Sequence, residues 1–359
     1  MNDPETLLAE LGERELLRHI RSRIPQGEGV LLGPGDDAAA VEIGPPVLVT
    51  TDCMVEGVHF RREWSPPPLL GRKALTVNLS DIAAMTGVPR YAVVSLCLPG
   101  DTTLAFVDGL YDGLLERAAE TGVSLVGGNV SASAGGIVVN VTLLGQAERA
   151  LARSGARAGD LVVVTGTLGA AAAGLKLLGQ GARLGADREV LSTGMWTESS
   201  AAAVRHCLCA QLDPSPPLAF ARALAEGERA HAAIDVSDGL SLDLRELCAA
   251  SGLGAVVDAA GLPIDTQAAA FERAQAGDAL SLALHGGEDY QLLLAVAPDA
   301  FAGLAGVAVV WDLPLSVIGE FVAGPAEVTL RAGGEAKPLP PYAWEHFRSR
   351  RRGPRVLRS

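Results

Sequence analysis

The stretch PPVLVTTDCMVEGVHF, residues 45–60, opens an alternation of strand and helix that runs through most of the chain. Its first half, PPVLVTTD (45–52), is a short apolar run with β-branched residues, which predicts a buried strand that ends at Asp52. The following segment RKALTVNLSDIAAMTG (72–87) predicts a helix. This order of elements is typical of an α/β fold.

The same alternation extends on both sides of this stretch. ETLLAELGERELLRHIRSRI (5–24) has apolar residues at helical spacing and predicts an N-terminal helix. Beyond residue 87 we expect one strand, a helix that ends at Gly122 and two further strands; the segments are YAVVSLCLP (91–99), TLAFVDGLYDGLLERAAETG (103–122), VSLVGGN (123–129) and GIVVNVTLLG (136–145).

The pattern restarts after Gly145, which predicts a second domain. ARAGDLVVVTGTLGAAAAGLKLLG (156–179) is typical of a strand, a glycine turn and a helix, and AIDVSDGLSLDLRELCAASG (233–252) and HGGEDYQLLLAV (285–296) continue the series. We therefore predict an N-terminal domain over residues 1–147, a C-terminal domain over 148–346 and a basic tail over 347–359.

Composition limits the class of protein. The chain has 359 residues, is 48% hydrophobic and carries a net charge of -13, so it is long enough for two domains and too acidic for a general nucleic-acid binder. The most apolar stretch, which begins at Leu292, is broken by Pro298 and Asp299, so no membrane segment is expected. Five scattered cysteines without a CxxC pair argue against a disulfide framework and fit a reducing compartment, the cytoplasm.

Carboxylates recur beside small residues at the predicted strand ends and turns. The positions are Asp36 and Asp37 in GPGDD, Asp52 in TTD, Asp81 in NLSD, and Asp235 and Asp238 in DVSDG. Two like charges about 4 Å apart repel by roughly 4 kcal/mol at an effective dielectric of about 20, so a cluster needs a counter-charge. Mg²⁺ is commonly shared between carboxylates and substrate phosphates, which predicts a magnesium site that faces a phosphorylated ligand.

A structural role for these residues stays open at each position. Asp in GPGDD is also typical of a turn or a helix cap, and DVSDG is also typical of a helix N-terminus. Familiar nucleotide-binding motifs are absent: no lysine falls in a GxxxxGK[ST] pattern, and neither HRD, DFG, GxSxG nor GxGxxG occurs. HCLC (206–209) has metal-binding residue types at the wrong spacing for zinc.

A set of longer motifs makes the sequence resemble the thiamine-monophosphate kinases, which share a superfamily with aminoimidazole ribonucleotide synthetase and selenophosphate synthetase. The motifs are GDDAA (35–39), TTDCMVEGVHF (50–60), GRKALTVNLSDIAAMTGVP (71–89), GGN (127–129), RSGARAGD (153–160), AIDVSDGL (233–240), GGEDYQL (286–292) and YAWEHF (342–347). The resemblance implies two α/β domains with mixed sheets, and a homodimer in which the N-terminal sheets pair into a barrel.

The resemblance also assigns roles to residues. Magnesium would be bound by Asp37, Thr50, Thr51, Asp52, Asp81, Asn129, Asp235 and Asp238. ATP would be held by Gly128, Asn129, Arg153, Ser237 and Tyr111. Thiamine monophosphate would contact His59, Glu288 and Trp344, and the catalytic residues would be Asp52, Asp238 and Arg153. The family often has GGD where this chain has GGN, so Asn129 offers an amide oxygen in place of a carboxylate.

The expected reaction is in-line transfer of the ATP γ-phosphoryl group to the phosphate of thiamine monophosphate. Two alternatives stay open at this point. One is an ATP-dependent synthetase of the same superfamily, although the selenophosphate branch usually has a reactive cysteine near the N-terminus and the first cysteine here is Cys53. The other is a magnesium-nucleotide sensor without catalytic activity.

Overall fold

The structure, a computed structural model, describes residues 5–11, 13–32, 39–44, 46–195, 201–225, 227 and 229–342. The chain divides into two compact units, the first made mostly of the chain up to Glu148 and the second mostly of the chain from Arg149 onward. Within the described residues, no helix is long and apolar enough to cross a membrane. All five cysteines are free thiols, as the sequence predicts.

The first unit combines helices with an open sheet. Its elements are α1 (Leu8–Leu11), α2 (Glu13–Arg23), β1 (Val30–Leu32), β2 (Ala40–Val41), β3 (Val47–Val55), α3 (Pro67–Ala84), β4 (Val88–Leu98), α4 (Leu104–Thr121), β5 (Ser124–Ala132) and β6 (Val138–Gln146). Among the described residues, four strands form a mixed sheet in the order β3-β6-β4-β5, in which only β4 and β5 run parallel. Strands β3 and β5 lie at its edges.

One face of this sheet is packed and the other is open. Strand β6 alternates between buried and partly exposed residues, and a Cβ added at Gly145 would lie 3.0 Å from Ile82 of α3, so this helix packs on the buried face. On the opposite face, Val49 of β3 is 66% exposed. The expectation of a fully buried strand at 45–52 is therefore wrong, because only alternate residues of β3 contact a covered face.

The second unit is built around a larger mixed sheet. Its elements are β7 (Leu161–Thr165), α5 (Ala170–Gly179), α6 (Ala201–Leu212), α7 (Leu218–Ala225), β10 (Ala232–Asp235), α8 (Leu240–Ser251), β11 (Gly254–Asp258), α9 (Thr266–Ala274), α10 (Ala279–His285), β12 (Leu292–Val296), α11 (Phe301–Val310), β13 (Leu315–Val322), β14 (Val328–Ala332) and β15 (Glu335–Pro338). The seven described strands have the order β10-β12-β7-β13-β11-β14-β15. Strands β8 (Ala182–Leu184) and β9 (Val190–Thr193) pair separately.

Local sequence signals account for several boundaries. Gly122 ends α4 as predicted: its φ is 72°, a left-handed conformation that favours glycine, and its N–H donates to the carbonyl of Ala118. Helix α3 begins at Pro67, five residues before the predicted start, since proline is well tolerated in the first helical turn. The N-terminal helix is described as two pieces, α1 and α2, on either side of residue 12.

Candidate active site

In the first unit, Thr50 and Asp52 share one face of strand β3. Side chains two residues apart on a strand point to the same side, and both residues are partly buried there. The Thr50 hydroxyl donates a hydrogen bond to the carboxylate of Asp81, which lies in the last turn of α3. The structure thus brings together two of the predicted metal-binding side chains, with Asp52 on the same face.

Thr51 lies on the opposite face of the same strand. Its hydroxyl contacts the Asn140 side chain and lies 3.0 Å from the Thr142 hydroxyl on the neighbouring strand. The Thr51 side chain therefore does not join Thr50 and Asp52. The sequence suggested that this strand ends at Asp52. In the structure β3 continues to Val55, and Asp52 pairs with Val141.

His59 is oriented by the loop that follows β3. Its Nδ1 accepts a hydrogen bond of 2.9 Å from the main-chain N–H of Val55. In the neutral imidazole this places the proton on Nε2, which leaves a donor on the other side of the ring. The loop itself is held by Glu56, whose carboxylate accepts from Arg62 and from the N–H of Ile137, each at 2.8 Å.

Three residues expected to hold the nucleotide lie in different surroundings. Gly128 is exposed on β5, and a Cβ there would lie 2.0 Å from the carbonyl oxygen of Val94, so the close approach of two strands requires glycine. Tyr111 is 4% exposed on α4, and burial raises the pKa of its phenol. Arg153 is exposed in the second unit, where its carbonyl accepts from Ser251.

In the second unit, main-chain hydrogen bonds join the DVSDG and GGEDY motifs. Strands β10 and β12 pair up to Asp235 opposite Leu292. Beyond that pair, the N–H of Val236 donates to Gln291 at 2.7 Å, and the N–H of Tyr290 donates to Val236 at 2.8 Å.

The next hydrogen bond connects the two predicted ligand groups. The N–H of Glu288 donates to the carbonyl of Ser237 at 2.7 Å. The residue predicted to contact the nucleotide and the residue predicted to contact the substrate thus sit on one hydrogen-bonded ribbon.

Unusual backbone geometry allows this close approach. A Cβ at Gly287 would lie 2.5 Å from the carbonyl oxygen of Ser237, so any side chain would push the two loops apart. Gly239 has a φ of 124°. Glu288 and Tyr290 adopt φ values of 65° and 50°, left-handed conformations that are uncommon for residues other than glycine. Such strain concentrates at functional sites.

Negative charge accumulates beside the DVSDG motif. Asp243, in the first turn of α8, accepts from the N–H groups of Asp238 and Gly239 at 3.2 and 3.0 Å. Burial raises the pKa of the Asp243 carboxyl well above its ordinary value, and the negative charges of Asp235 and Asp238 raise it further.

Asp289 anchors the GGEDY motif to helix α5. Its carboxylate accepts from the N–H of Gly169 at 2.8 Å and of Ala171 at 3.3 Å, at the start of the helix. Burial raises its pKa to about 7, although these two hydrogen bonds lower it. Glu288 itself accepts a hydrogen bond from the buried Gln211 of α6.

Sequence reasoning missed Asp243, Asp289 and Gln211. A signal was present for Asp243, which follows SDG at the spacing of a first-turn acidic residue, and for Asp289, which stands inside the GGEDY motif. Gln211 carries no local signal. Of the predicted residues, Asp37 and Trp344 lie outside the described part of the chain. Tyr342, two positions before Trp344 in the sequence, packs its ring against His285 with centroids 5.5 Å apart.

The predicted metal ligands are divided between the two units. Thr50, Asp52 and Asp81 belong to the first, and Asp235 and Asp238 to the second. Within the described ranges, no group of three or more histidine, cysteine, aspartate or glutamate side chains is arranged to hold a metal ion. The magnesium site therefore stays a prediction, and its donor set of carboxylate, hydroxyl and amide oxygens fits that cation.

The paired α/β units define a class. Residues 35–147 match the family described as AIR synthase related protein, N-terminal domain, and residues 157–331 match AIR synthase related protein, C-terminal domain. A thiamine-monophosphate kinase of Rhodopirellula baltica is 34% identical over 319 residues, which cover 86% of this chain and 89% of the relative. Together these matches define a two-domain α/β protein with the AIR synthase-like fold.

Solved structures narrow the class. A crystal structure of thiamine-monophosphate kinase from Stenotrophomonas maltophilia is 36% identical, with a TM-score of 0.76 over 90% of this chain and 96% of that one. AaThiL complexed with AMPPCP and TMP is 30% identical, with a TM-score of 0.72 over 95% of this chain and 99% of that one. The chain belongs to the thiamine-monophosphate kinase family, as the sequence motifs predict.

Proposed function

We propose that this chain transfers the γ-phosphoryl group of ATP to the phosphate of thiamine monophosphate, which yields thiamine diphosphate and ADP. The observation that carries the proposal is the hydrogen bond between Glu288 and Ser237, because it joins a residue expected at the acceptor to a residue expected at the nucleotide. AaThiL, which matches 95% of this chain, has been solved with AMPPCP and TMP, and this supports the same pair of ligands here.

The reaction depends more on the alignment of the two phosphate groups than on a general base. A phosphate monoester has a second pKa of about 6 and is largely dianionic at neutral pH, so the attacking oxygen needs no strong general base. Two anionic phosphates must instead be brought together in line, and phosphoryl transfer is catalysed mainly by positioning and charge stabilisation. Arg153 would supply cationic charge, and Asp52 and Asp238 would act through the cations they hold.

The acceptor would be recognised by charge and shape. Glu288 offers a carboxylate to the positively charged thiazolium ring, and Trp344 an aromatic ring for stacking or cation–π contact worth about 0.5–2 kcal/mol. His59 presents its Nε2 side as a hydrogen-bond donor, since Nδ1 accepts from Val55. On the nucleotide side we assign Gly128, Asn129, Arg153, Ser237 and Tyr111, of which Tyr111 is only 4% exposed.

Several magnesium ions are part of the proposal. Their ligands would be Asp37, Thr50, Thr51, Asp52, Asp81, Asn129, Asp235 and Asp238. Magnesium, when bound, neutralises charge on phosphate oxygens and orients them. The Thr51 side chain points to the other face of β3, so Thr51 could contribute only through its main chain. Asn129 replaces a charge with an amide and should weaken metal binding modestly.

A homodimer is the proposed assembly. The open face of the four-stranded sheet presents Val49, 66% exposed, with Thr51 and Cys53 on the same side of β3. Pairing of two such faces would cover these side chains, in the barrel that the family resemblance implies. We also propose that the domains span 1–147 and 148–346, with 347–359 as a basic tail.

Product analysis tests the proposed reaction. The purified chain is incubated with ATP, MgCl₂ and thiamine monophosphate, and thiamine species are separated by chromatography after conversion to fluorescent thiochromes. Thiamine diphosphate should form with an equal amount of ADP, and it should not form when free thiamine replaces the monophosphate. ATP binding without any thiamine diphosphate would favour a sister synthetase or a nucleotide sensor.

A further inference from the structure

Gln211 of helix α6 holds the Glu288 carboxylate from the protein interior. Its Nε2 donates a hydrogen bond to Oε2 of Glu288, and the Gln211 residue is only 3% exposed. The HCLC segment (206–209) lies in helix α6 but does not include Gln211, and no role has been assigned to Gln211. The contact is therefore an unassigned feature of the acceptor side of the site.

The oxygen of the Gln211 side-chain amide lies in a less favourable environment than its nitrogen. Among the described residues, its Oε1 is buried and has no hydrogen-bond partner. A buried acceptor without a partner costs stability, since it has lost its hydrogen bonds to water. The Gln211 side chain therefore contributes little to stability, and its Nε2 group donates its hydrogen bond to Glu288.

The main chain around Glu288 is already fixed. Its N–H bonds to Ser237, its φ is 65°, and the next residue, Asp289, is tied to the start of α5. With the backbone held on both sides, the remaining freedom lies in the Glu288 side-chain torsions. The hydrogen bond from Gln211 restrains the end of that side chain.

Helix α6 is itself held at a defined distance. It packs against α5 so closely that a Cβ at Gly174 would lie 2.1 Å from the carbonyl oxygen of Cys207 and 2.9 Å from Cβ of Gln211. This contact places the Gln211 side chain relative to the GGEDY motif. Rigid elements orient a functional side chain better than a loop alone can.

The chemical type of the partner is informative. An amide is neutral, so it orients a carboxylate without cancelling its charge, whereas a lysine or arginine would form an ion pair and compete with a cationic ligand. A carboxylate held in this way keeps its full attraction for a positively charged group of the acceptor.

We propose that Gln211 is a positioning residue that aims the Glu288 carboxylate at the cationic heteroaromatic ring of the phosphorylated acceptor. The inference rests on the proposed function and adds a determinant of acceptor affinity to it. Gln211 acts through Glu288 and does not itself contact the nucleotide.

The test replaces Gln211 with methionine, which has a similar shape but no donor. Isothermal titration calorimetry should show that Gln211→Met binds thiamine monophosphate about 10-fold more weakly than wild type does. Its affinity for AMPPCP should stay within about twofold of wild type. In turnover assays the KM for thiamine monophosphate should rise and kcat should change little. The melting temperature should be unchanged or higher, because the unpaired buried oxygen is removed.

Gln275→Met is the matched control. Gln275 forms an exposed amide pair with Gln180 and has no assigned role at the site, so its replacement should leave both affinities and the melting temperature unchanged. A Gln211→Met protein that binds thiamine monophosphate as tightly as wild type would overturn the inference. So would an equal loss of AMPPCP affinity with a lowered melting temperature, which would indicate a structural role.

The two proposals fail in distinguishable ways. If wild type binds thiamine monophosphate and makes thiamine diphosphate but Gln211→Met matches it, only the role of Gln211 is wrong. If wild type neither binds nor converts thiamine monophosphate, the proposed function is wrong and the inference falls with it.

Discussion

The candidate residues of the two units are held in place in different ways. In the first unit, Thr50 and Asp81 meet through a side-chain hydrogen bond between a strand and a helix. In the second, the DVSDG and GGEDY motifs are joined by main-chain hydrogen bonds from Val236 to Glu288. Side chains that carry the chemistry can therefore be changed in the second unit without removing the bonds that hold its loops.

Because of this difference, the functional side chains and the backbone contacts that hold them can be changed separately in the second unit but not in the first. In the first unit, one substitution removes a functional group and a structural contact together. In the second unit, carboxylates can be removed while glycines keep the backbone in place, and glycines can be changed while carboxylates stay.

The largest effect is expected for Asp238→Ala. Asp238 is exposed, and the backbone bonds of its loop do not depend on its carboxylate, so the fold should survive. Loss of a group that organises charge at the phosphates should lower kcat by about 10²–10⁴-fold. Steady-state kinetics and circular dichroism measure both outcomes. Asp258→Ala, an exposed aspartate at the end of β11, serves as the control and should retain full activity. Near-normal turnover of Asp238→Ala would refute its catalytic role.

Gly287→Ala tests the backbone of the second unit while every carboxylate stays. The new Cβ would lie 2.5 Å from the Ser237 carbonyl oxygen, so the two loops must separate. Misplacement of the reacting groups should cost about 10²-fold in kcat/KM, with a lower melting temperature. In Gly303→Ala the added methyl group meets nothing within 4 Å, and in helix α11 it should raise stability by about 0.5–1 kcal/mol. Wild-type kinetics in Gly287→Ala would show that the junction is not required.

Thr50→Val and Thr51→Val sharpen the comparison within the first unit. Thr50 bonds to Asp81, whereas Thr51 faces the open side of the sheet. Loss of a hydrogen bond to a carboxylate should reduce kcat/KM about 10-fold in Thr50→Val. Thr51→Val should change kcat/KM by less than twofold. Equal losses in the two variants would contradict the assignment of strand faces.

The stability of the second unit should also depend on pH through Asp289. Burial raises the pKa of Asp289 to about 7, so between pH 4 and 7 the folded protein keeps a proton that the unfolded chain has released. The contribution of Asp289 to the unfolding free energy is therefore largest at low pH and falls as pH rises towards 7.

Asp289→Asn should remove this dependence. The difference in unfolding free energy between wild type and variant, measured in urea at pH 4.5 and 7.5, should shift by up to about 3 kcal/mol in favour of wild type at the lower pH. A difference that does not vary with pH would mean that Asp289 is already ionised in the folded protein.

Local features of the sequence predicted much of the fold. The glycine at 122 and the helical spacing of 72–87 are short-range signals, and both helices form, although α3 spans Pro67–Ala84 and so begins and ends earlier than predicted. The burial of β3 was predicted wrongly because the apolar run at 47–49 does not reveal which face of the sheet is covered. That property depends on where α3 packs.

The sequence predicted several residues of the candidate site, but it did not predict the hydrogen bonds that join them. Asp235, Asp238 and Glu288 were recognised from motifs, but fifty residues separate Ser237 from Gly287, and no local pattern indicates that their main chains meet. Gln211 could not be found from sequence because its role depends on helix packing at Gly174. Long-range contacts of this kind arise from tertiary structure alone.

Transfer of an isotope label tests the central claim most directly. ATP carrying three ¹⁸O atoms on the non-bridging positions of its γ-phosphate is incubated with the protein, MgCl₂ and thiamine monophosphate, and the phosphorus NMR spectrum is recorded. Direct transfer predicts that the terminal phosphate of thiamine diphosphate carries all three labels and that ADP appears in equal amount. Label found in inorganic phosphate, with no labelled thiamine diphosphate, would contradict the account.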